Sequence, residues 1–177
     1  MALLSIVKYG DPILRKKVKP VTDFTNLEKL VNDMLETMSH EDGIGLAANQ
    51  VGKDMNLMVL DVSHLEDETD TEPRIFVNIK IVETDGEIMM EEGCLSIPDI
   101  RAEITRPEKI TISYQDLNRE MHTKQFTGLS SRVLQHEFDH LEGKFFTDYL
   151  ATAKKLIIQK RLKEISETGF PSVSVTL

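Results

Sequence analysis

The first clear pattern along the chain is a single apolar stripe of helical period. Leu27, Leu30, Val31, Met34, Leu35 and Met38 recur at i, i+3, i+4, i+7, i+8 and i+11, which predicts an amphipathic helix. Thr25 and Glu28 have capping-box spacing at its start. Gly43 lies past its end, and His40 closes it, where an imidazole complements the helix dipole. The period then changes. Leu57 to Leu60 form a short apolar run within Asn56 to Asp61, Ile75 to Val82 form a second, and Ile110, Ile112 and Tyr114 alternate with polar residues. These segments predict strands, buried or half-buried. Asp85-Gly86 reads as a turn, and Asp116 to Asn118 is placed to turn the third strand back into Met121 to Phe126.

A second helix is predicted from near Leu129 to Gly143. Leu134, Phe138 and Leu141 fall on one side of it, Leu129 and Val133 on the other. A helix apolar on two faces belongs at the centre of a fold. A third helix is predicted from about Tyr149 to Thr168, with Ala151, Ile158, Leu162 and Ile165 as its inward stripe and Gly169 as its stop. Residues 10–20 read as an irregular N-terminal arm, and Ser172 to Leu177 as an edge strand or a frayed end. The fold class implied is α+β, a central buried helix surrounded by mixed or antiparallel sheets, with a C-terminal helix.

Composition narrows the function. At 177 residues and 40% apolar content, the chain reads as one domain spanning residues 1–177. The net charge of −9 argues against a nucleic-acid binder, which needs a basic face to neutralise phosphates. The run Glu66, Asp67, Glu68, Asp70, Glu72 reads as a solvated loop. A single cysteine excludes an internal disulfide. The opening apolar run ends at Lys8, too short for a signal-peptide core, and no window is apolar enough for a membrane span. The expected compartment is the cytosol.

The candidate chemistry centres on Gln135-His136-Glu137-Phe138-Asp139-His140, which holds H-E-x-x-H on the second predicted helix. Four residues advance a helix by about 400°, so the two imidazoles stand about 40° apart and reach one metal ion. Glu137, on the same flank, is placed to take a proton from water that the ion acidifies. Histidines that share a face with Leu129 and Val133 are expected to be buried, and buried imidazoles need a partner or a metal. A catalytic site of this type needs one more protein ligand. No histidine follows His140, and His64 and His122 read as surface residues. Cys94, Glu142, Glu164 and Glu167 remain as candidates.

Cys94 lies in EEGCLSIP. It reads either as inert core or as a thiolate suited to zinc or ferrous iron. Gly93 permits close backbone approach, and Pro98 is expected to end regular pairing. The stretch GIGLAANQVG, residues 43–52, reads as a tight turn and not a phosphate loop, since no Lys-Ser or Lys-Thr follows it. Gln50 there reads as a solvated turn residue or as part of a site. Two rivals stay open on these residues. One is a gluzincin-type metallopeptidase with Glu164 or Glu167 as third ligand. The other is a non-catalytic metal-binding module in which Glu137 is incidental.

The three segments GIGLAANQVG, EGCLSIP and QHEFDHLEG, in this order between Gly43 and Gly143, resemble the signature motifs of the peptide deformylases. The terminal helix resembles that of the bacterial members. The resemblance implies a central helix carrying H-E-x-x-H wrapped by antiparallel sheets, and removal of the formyl group from N-formylmethionyl nascent peptides. It implies Cys94, His136 and His140 as ligands of one divalent metal ion, ferrous iron in the cell, with Zn2+, Ni2+ or Co2+ as substitutes. It makes Glu137 the general base, and Gln50 and the Leu95 backbone N–H donors to the oxyanion. Ile44, Gly45 and Gly93 resemble the family's main-chain clamp on the substrate. The sequence departs from the family at Asn49, where a small or β-branched residue is commoner, and at Ile79, where proline often follows the asparagine. Arg132 and Val133 stand where residues near the substrate pocket are often small or apolar. Lys154, Lys155, Lys160, Arg161 and Lys163 on the last helix read as a solvated face or as a ribosome contact; no membrane or sequence-specific nucleic-acid partner is implied.

Overall fold

The early stripe forms a helix, Leu27–His40 (α1). Leu27, Val31, Met34 and Met38 are buried, and Leu30 and Leu35 flank them half-buried. The capping box does not form. Asn26 takes the N-cap position with φ of 60° and gives no side-chain bond, so Thr25 is one residue too early to cap. The computed structural model describes residues 2–63, 65 and 72–177; the readings of His64 and of Glu66 to Asp70 lie outside them.

Seven strands and a second helix follow. They are Gly45–Ala47 (β1), Leu57–Leu60 (β2), Arg74–Asp85 (β3), Ile88–Cys94 (β4), Ile97–Arg106 (β5), Lys109–Gln115 (β6), Met121–Phe126 (β7) and Gly128–Leu141 (α2). Thr152–Thr168 (α3) and Val175–Thr176 (β8) close the chain. One sheet has the order β1-β2-β3-β6-β7, antiparallel throughout; the other has the order β4-β5-β8, with β8 parallel to β5.

β2 shows why the layers sit as they do. All four of its residues are buried. Leu57 and Val59 pack with Val31, Met34 and Met38 of α1. Met58 and Leu60 pack with Val133, Leu134 and Leu141 of α2. Alternation thus gives the strand two apolar faces, one for each helix. α2 is buried on nearly every side, with 11 of its 14 residues inaccessible, as its two apolar faces predict. The three-stranded sheet lies beyond it. Ile97, Ile100, Ala102 and Ile104 pack there with Phe145, Phe146 and with Ile158 and Ile165 of α3.

Several local expectations are corrected. α3 begins at Thr152, because Phe146–Tyr149 turns as a separate 3-10 segment. Ala151 is therefore exposed ahead of the helix, and Leu162 is only half-buried. Pro98 does not end pairing. It is the second residue of β5, where a missing N–H is tolerated. Ile79 uses its N–H to bond Asn56 Oδ1 at 3.0 Å, a bond that proline could not make. The tail forms the edge strand β8, and His122 is half-exposed, bonded to Asp116 Oδ2 at 2.9 Å.

Candidate active site

α2 presents His136 and His140 on one flank, and their Nε2 atoms lie 3.2 Å apart. The β4–β5 hairpin delivers the third atom. Cys94 ends β4, pairs with Ile97 across the turn Leu95-Ser96, and puts Sγ 3.1 Å from His140 Nε2. Ordinary zinc–sulfur and zinc–nitrogen bond lengths at tetrahedral angles give ligand–ligand separations of roughly 3.3–3.6 Å. The three atoms therefore fit around one cation with small outward shifts. Phe145 packs edge-on to His140 and Phe146 stacks on His136, which fixes both rings and keeps water from their backs.

The rear of His136 is held by charge. Its Nδ1 bonds Glu92 Oε2 at 2.8 Å. Burial alone would raise the Glu92 carboxyl, but bonds from His136 and Arg106 outweigh it and hold the group well below the usual carboxylate range. An ionised carboxylate only accepts, so Nδ1 carries the proton and Nε2 is left to bind a metal. Glu92 Oε1 also accepts from Arg106 Nε at 2.6 Å and Arg132 Nη1 at 2.7 Å. Arg106 Nη1 reaches Asp139 Oδ2 at 2.6 Å, and the Tyr149 hydroxyl donates to Asp139 Oδ1 at 2.9 Å. Arg132 spends further donors on the carbonyls of Ile104 and Ile88, which tie the hairpin to the helix. Two carboxylates and two guanidiniums, all but inaccessible, thus balance one another behind the histidines.

Burial, together with the neighbouring His136, holds His140 well below the ordinary imidazole range. For His136 burial acts the same way, yet bonds to Cys94 and Glu92 overcome it and raise the group well above that range.

Glu137 faces the same space from the next position on α2. Burial pushes its carboxyl up to about 7, and Oε2 has no protein partner. Gln50 is buried, not solvated. Its Oε1 accepts from the Ala47 N–H at 2.9 Å, which turns Nε2 toward Cys94 Sγ, 3.6 Å away, and Ser96 Oγ, 3.3 Å away. Gly45 explains itself by contact. A Cβ there would meet Val133 Cγ1 at 2.5 Å and Glu137 Oε1 at 2.8 Å. The predicted glycine-rich turn is in fact β1 and a 3-10 turn, Ala48–Val51; β1 is an outer strand of its sheet. A cavity of about 560 Å³ opens over this arrangement, lined by Ile44, Gly45, Gly93, Leu95, Leu129 and Val133 among others.

The sequence reading missed Glu92, Arg106 and Asp139, and placed Arg132 only near the substrate pocket. One signal was available: Arg106 continues the buried phase of Ile100, Ala102 and Ile104 along β5, and an arginine in such a phase requires buried acids. Asn49 was read only as a departure; its Nδ2 donates to the His140 carbonyl at 2.6 Å. The rival third ligands are engaged elsewhere, Glu142 with Lys17, Glu164 with Ser172 and Arg161, and Glu167 with Lys163. Among the described residues one other trio of potential ligands converges, Asp116, Glu120 and His122. There Asp116 accepts from the Asn118 and Glu120 N–H groups and from His122, which is how a turn is capped.

The family model described as polypeptide deformylase matches residues 3–156. The peptide deformylase of Flavobacterium johnsoniae is 44% identical, over 93% of this chain and 90% of that protein. The peptide deformylase of Christiangramia forsetii is 41% identical over the same shares. Among solved structures, the peptide deformylase of Thermus thermophilus is similar with a TM-score of 0.86 at 35% identity, covering 94% of this chain and 99% of that one. A Plasmodium falciparum peptide deformylase is similar with a TM-score of 0.85 at 39% identity, over 92% and 95% of the two chains.

Proposed function

The chain belongs to the peptide deformylase family, and from that premise we propose how its residues carry out the family's reaction. The enzyme is a metallohydrolase that removes the N-formyl group from nascent peptides, adding water across the amide to leave formate and a free amine. In our reading residues 1–177 act as one catalytic domain, and Cys94 Sγ with the Nε2 atoms of His136 and His140 holds a single divalent ion. Bound there, the ion supplies Lewis acidity, polarising the formyl oxygen and making water acidic. Glu137 takes the proton from the attacking water and returns it to the amine nitrogen as the C–N bond breaks. Gln50 Nε2 and the Leu95 N–H donate to the oxygen as it becomes anionic, and loss of one such donor costs about 10²–10³ in rate. The substrate main chain lies along the outer edge of β1 at Ile44 and Gly45, in the manner of an added strand, with Gly93 facing it. Ile44, Leu129 and Val133 offer the methionine side chain an apolar wall.

The convergence of Sγ and both Nε2 atoms beside Glu137 carries this reading. Formate release from a formyl-Met peptide, with metal analysis of the same sample, tests it. The donor set suits ferrous iron or zinc, and we assign Fe2+ in the cell, with Zn2+, Ni2+ or Co2+ as substitutes. Cys94 borders an open cavity, so protein purified without oxygen is expected to lose activity in air as the thiolate oxidises. Retained activity would remove iron.

Gly45→Ala is expected to lower kcat about 100-fold, because displacing a reacting group by about an ångström costs that much and the new methyl pushes directly on Glu137. Steady-state kinetics with metal content unchanged would check it.

Among the described residues no helix is long and apolar enough to cross a membrane, and we place the enzyme in the cytoplasm, where nascent chains emerge. Lys155, Lys160 and Lys163 are exposed on α3 beside exposed Leu156 and Ile157, a surface suited to anionic ribosomal RNA. Because Ile158 and Ile165 of the same helix are core, replacing the three lysines by glutamate tests ribosome pelleting without unfolding the helix. Unchanged pelleting would remove this contact.

A further inference from the structure

Three consecutive residues of the N-terminal segment that leads into residues 10–20 reach both loops that carry the proposed oxyanion donors. The Val7 N–H donates to the Gln50 carbonyl at 2.8 Å and the Tyr9 N–H to the Ser96 carbonyl at 2.9 Å. Between them, Lys8 Nζ donates to the Leu95 carbonyl at 2.8 Å. The Leu95-Ser96 turn needs such support. It hangs from the hairpin by the Cys94–Ile97 pair alone, with a register shift just before it, between Gly93 and Cys94. Its two carbonyls are taken by Lys8 and Tyr9, and the Ser96 hydroxyl accepts from Gln50 Nε2. The Lys8 ammonium is itself held, lying 5.5 Å from the centre of the Phe170 ring. Phe170 belongs to the segment after α3, and both residues line the cavity.

We propose that Lys8 is a positioning residue of the reaction: by fastening the Leu95 carbonyl from outside the turn, it keeps the Leu95 N–H aimed into the cavity. The inference rests on the reading of Leu95 and Gln50 as oxyanion donors. A donor stabilises developing charge most when it need not reorient as the charge appears. Lys8 supplies that fixity with a charged bond at the cavity wall, and the Phe170 ring restricts where the flexible lysine stem can go.

The test measures kcat and KM for formate release from a formyl-Met tripeptide, with metal content and thermal unfolding read on each protein. Lys8→Met keeps the stem and removes the donor. It is expected to lower kcat about tenfold with KM within about twofold, less than the 10²–10³ that removing a donor outright costs. Lys8→Arg retains a donor and is expected to recover most of the loss. Phe170→Ala changes an exposed residue, 60% accessible, and is expected to cost about two- to threefold in wild type and nothing further in the Lys8→Met background. An unchanged kcat in Lys8→Met, or a raised KM in place of a lowered kcat, overturns the proposal. So does a Phe170→Ala loss that persists undiminished without Lys8. Gln50→Ala, measured alongside, separates the two levels. If it retains full kcat the oxyanion reading has failed, whatever Lys8 does; if it falls about 100-fold or more, the Lys8 results bear on positioning alone.

Discussion

Glu137→Gln is expected to bind metal as wild type does and to lose turnover by about 10³–10⁴. Positioned acid–base groups contribute about 10²–10⁴, and here one carboxylate is asked to act twice, first as base and then as acid. The substitution preserves shape and volume, so Gly45 and Val133 keep their contacts. It also leaves Cys94, His136 and His140 untouched. The amide keeps one oxygen for the Ala47 N–H that bonds the carboxylate, and its nitrogen can take the place of Oε2, which has no protein partner. Formate release and metal content, measured on the same preparation, are the check. A variant that keeps turnover within about tenfold of wild type would remove Glu137 from the chemistry and return the chain to the reading in which this residue is incidental.

Cys94→Ser is expected to do the opposite, losing the metal while keeping the fold. The thiol is half-buried at the end of β4, and serine replaces it without a gap that the hairpin cannot close. A neutral hydroxyl is a far poorer ligand than a thiolate for zinc or ferrous iron. Two imidazoles alone leave the cation weakly held, so metal content and activity should fall together. Circular dichroism and elemental analysis after dialysis would show it. Full metal retention would point to a different third ligand, yet Glu164 and Glu167 have other partners on α3 or just beyond it.

What the sequence made legible follows from how much each element depends on periodicity. α1 announces itself by one regular apolar stripe, α2 by apolar residues on two faces at helical spacing, and the β6–β7 hairpin by alternation in β6 and the ordinary turn chemistry of Asp116 to Asn118. H-E-x-x-H was readable because its geometry is local to one helix. The β4–β5 hairpin was not read as strands. Its pattern is interrupted by charges at inward positions, Glu92 and Arg106, and by Asp99, whose φ of 60° shifts the phase of alternation between Ile97 and Ile100. β1 escaped because three residues give no period at all, and because its sheet position depends on a glycine fitting against α2. The position of Lys8 at the site could not be read either, since it depends on a segment of irregular backbone meeting two loops distant in sequence.

The four opposed charges behind His136 constrain how this lineage can change. Replacing any one of Glu92, Asp139 or Arg106 alone leaves an uncompensated charge in the interior, a penalty of about 3–5 kcal/mol, comparable to the whole stability margin of a modest domain, whereas Glu92 without Arg132 still has Arg106 and His136 as partners. A viable departure at those three would have to alter an acid and a base together, or exchange the set for apolar packing in one event. Descendants should therefore inherit Glu92, Arg106 and Asp139 intact while the exposed residues around them diverge freely, and a change at Arg132 alone should be the one that is tolerated, since Glu92 keeps Arg106 and His136.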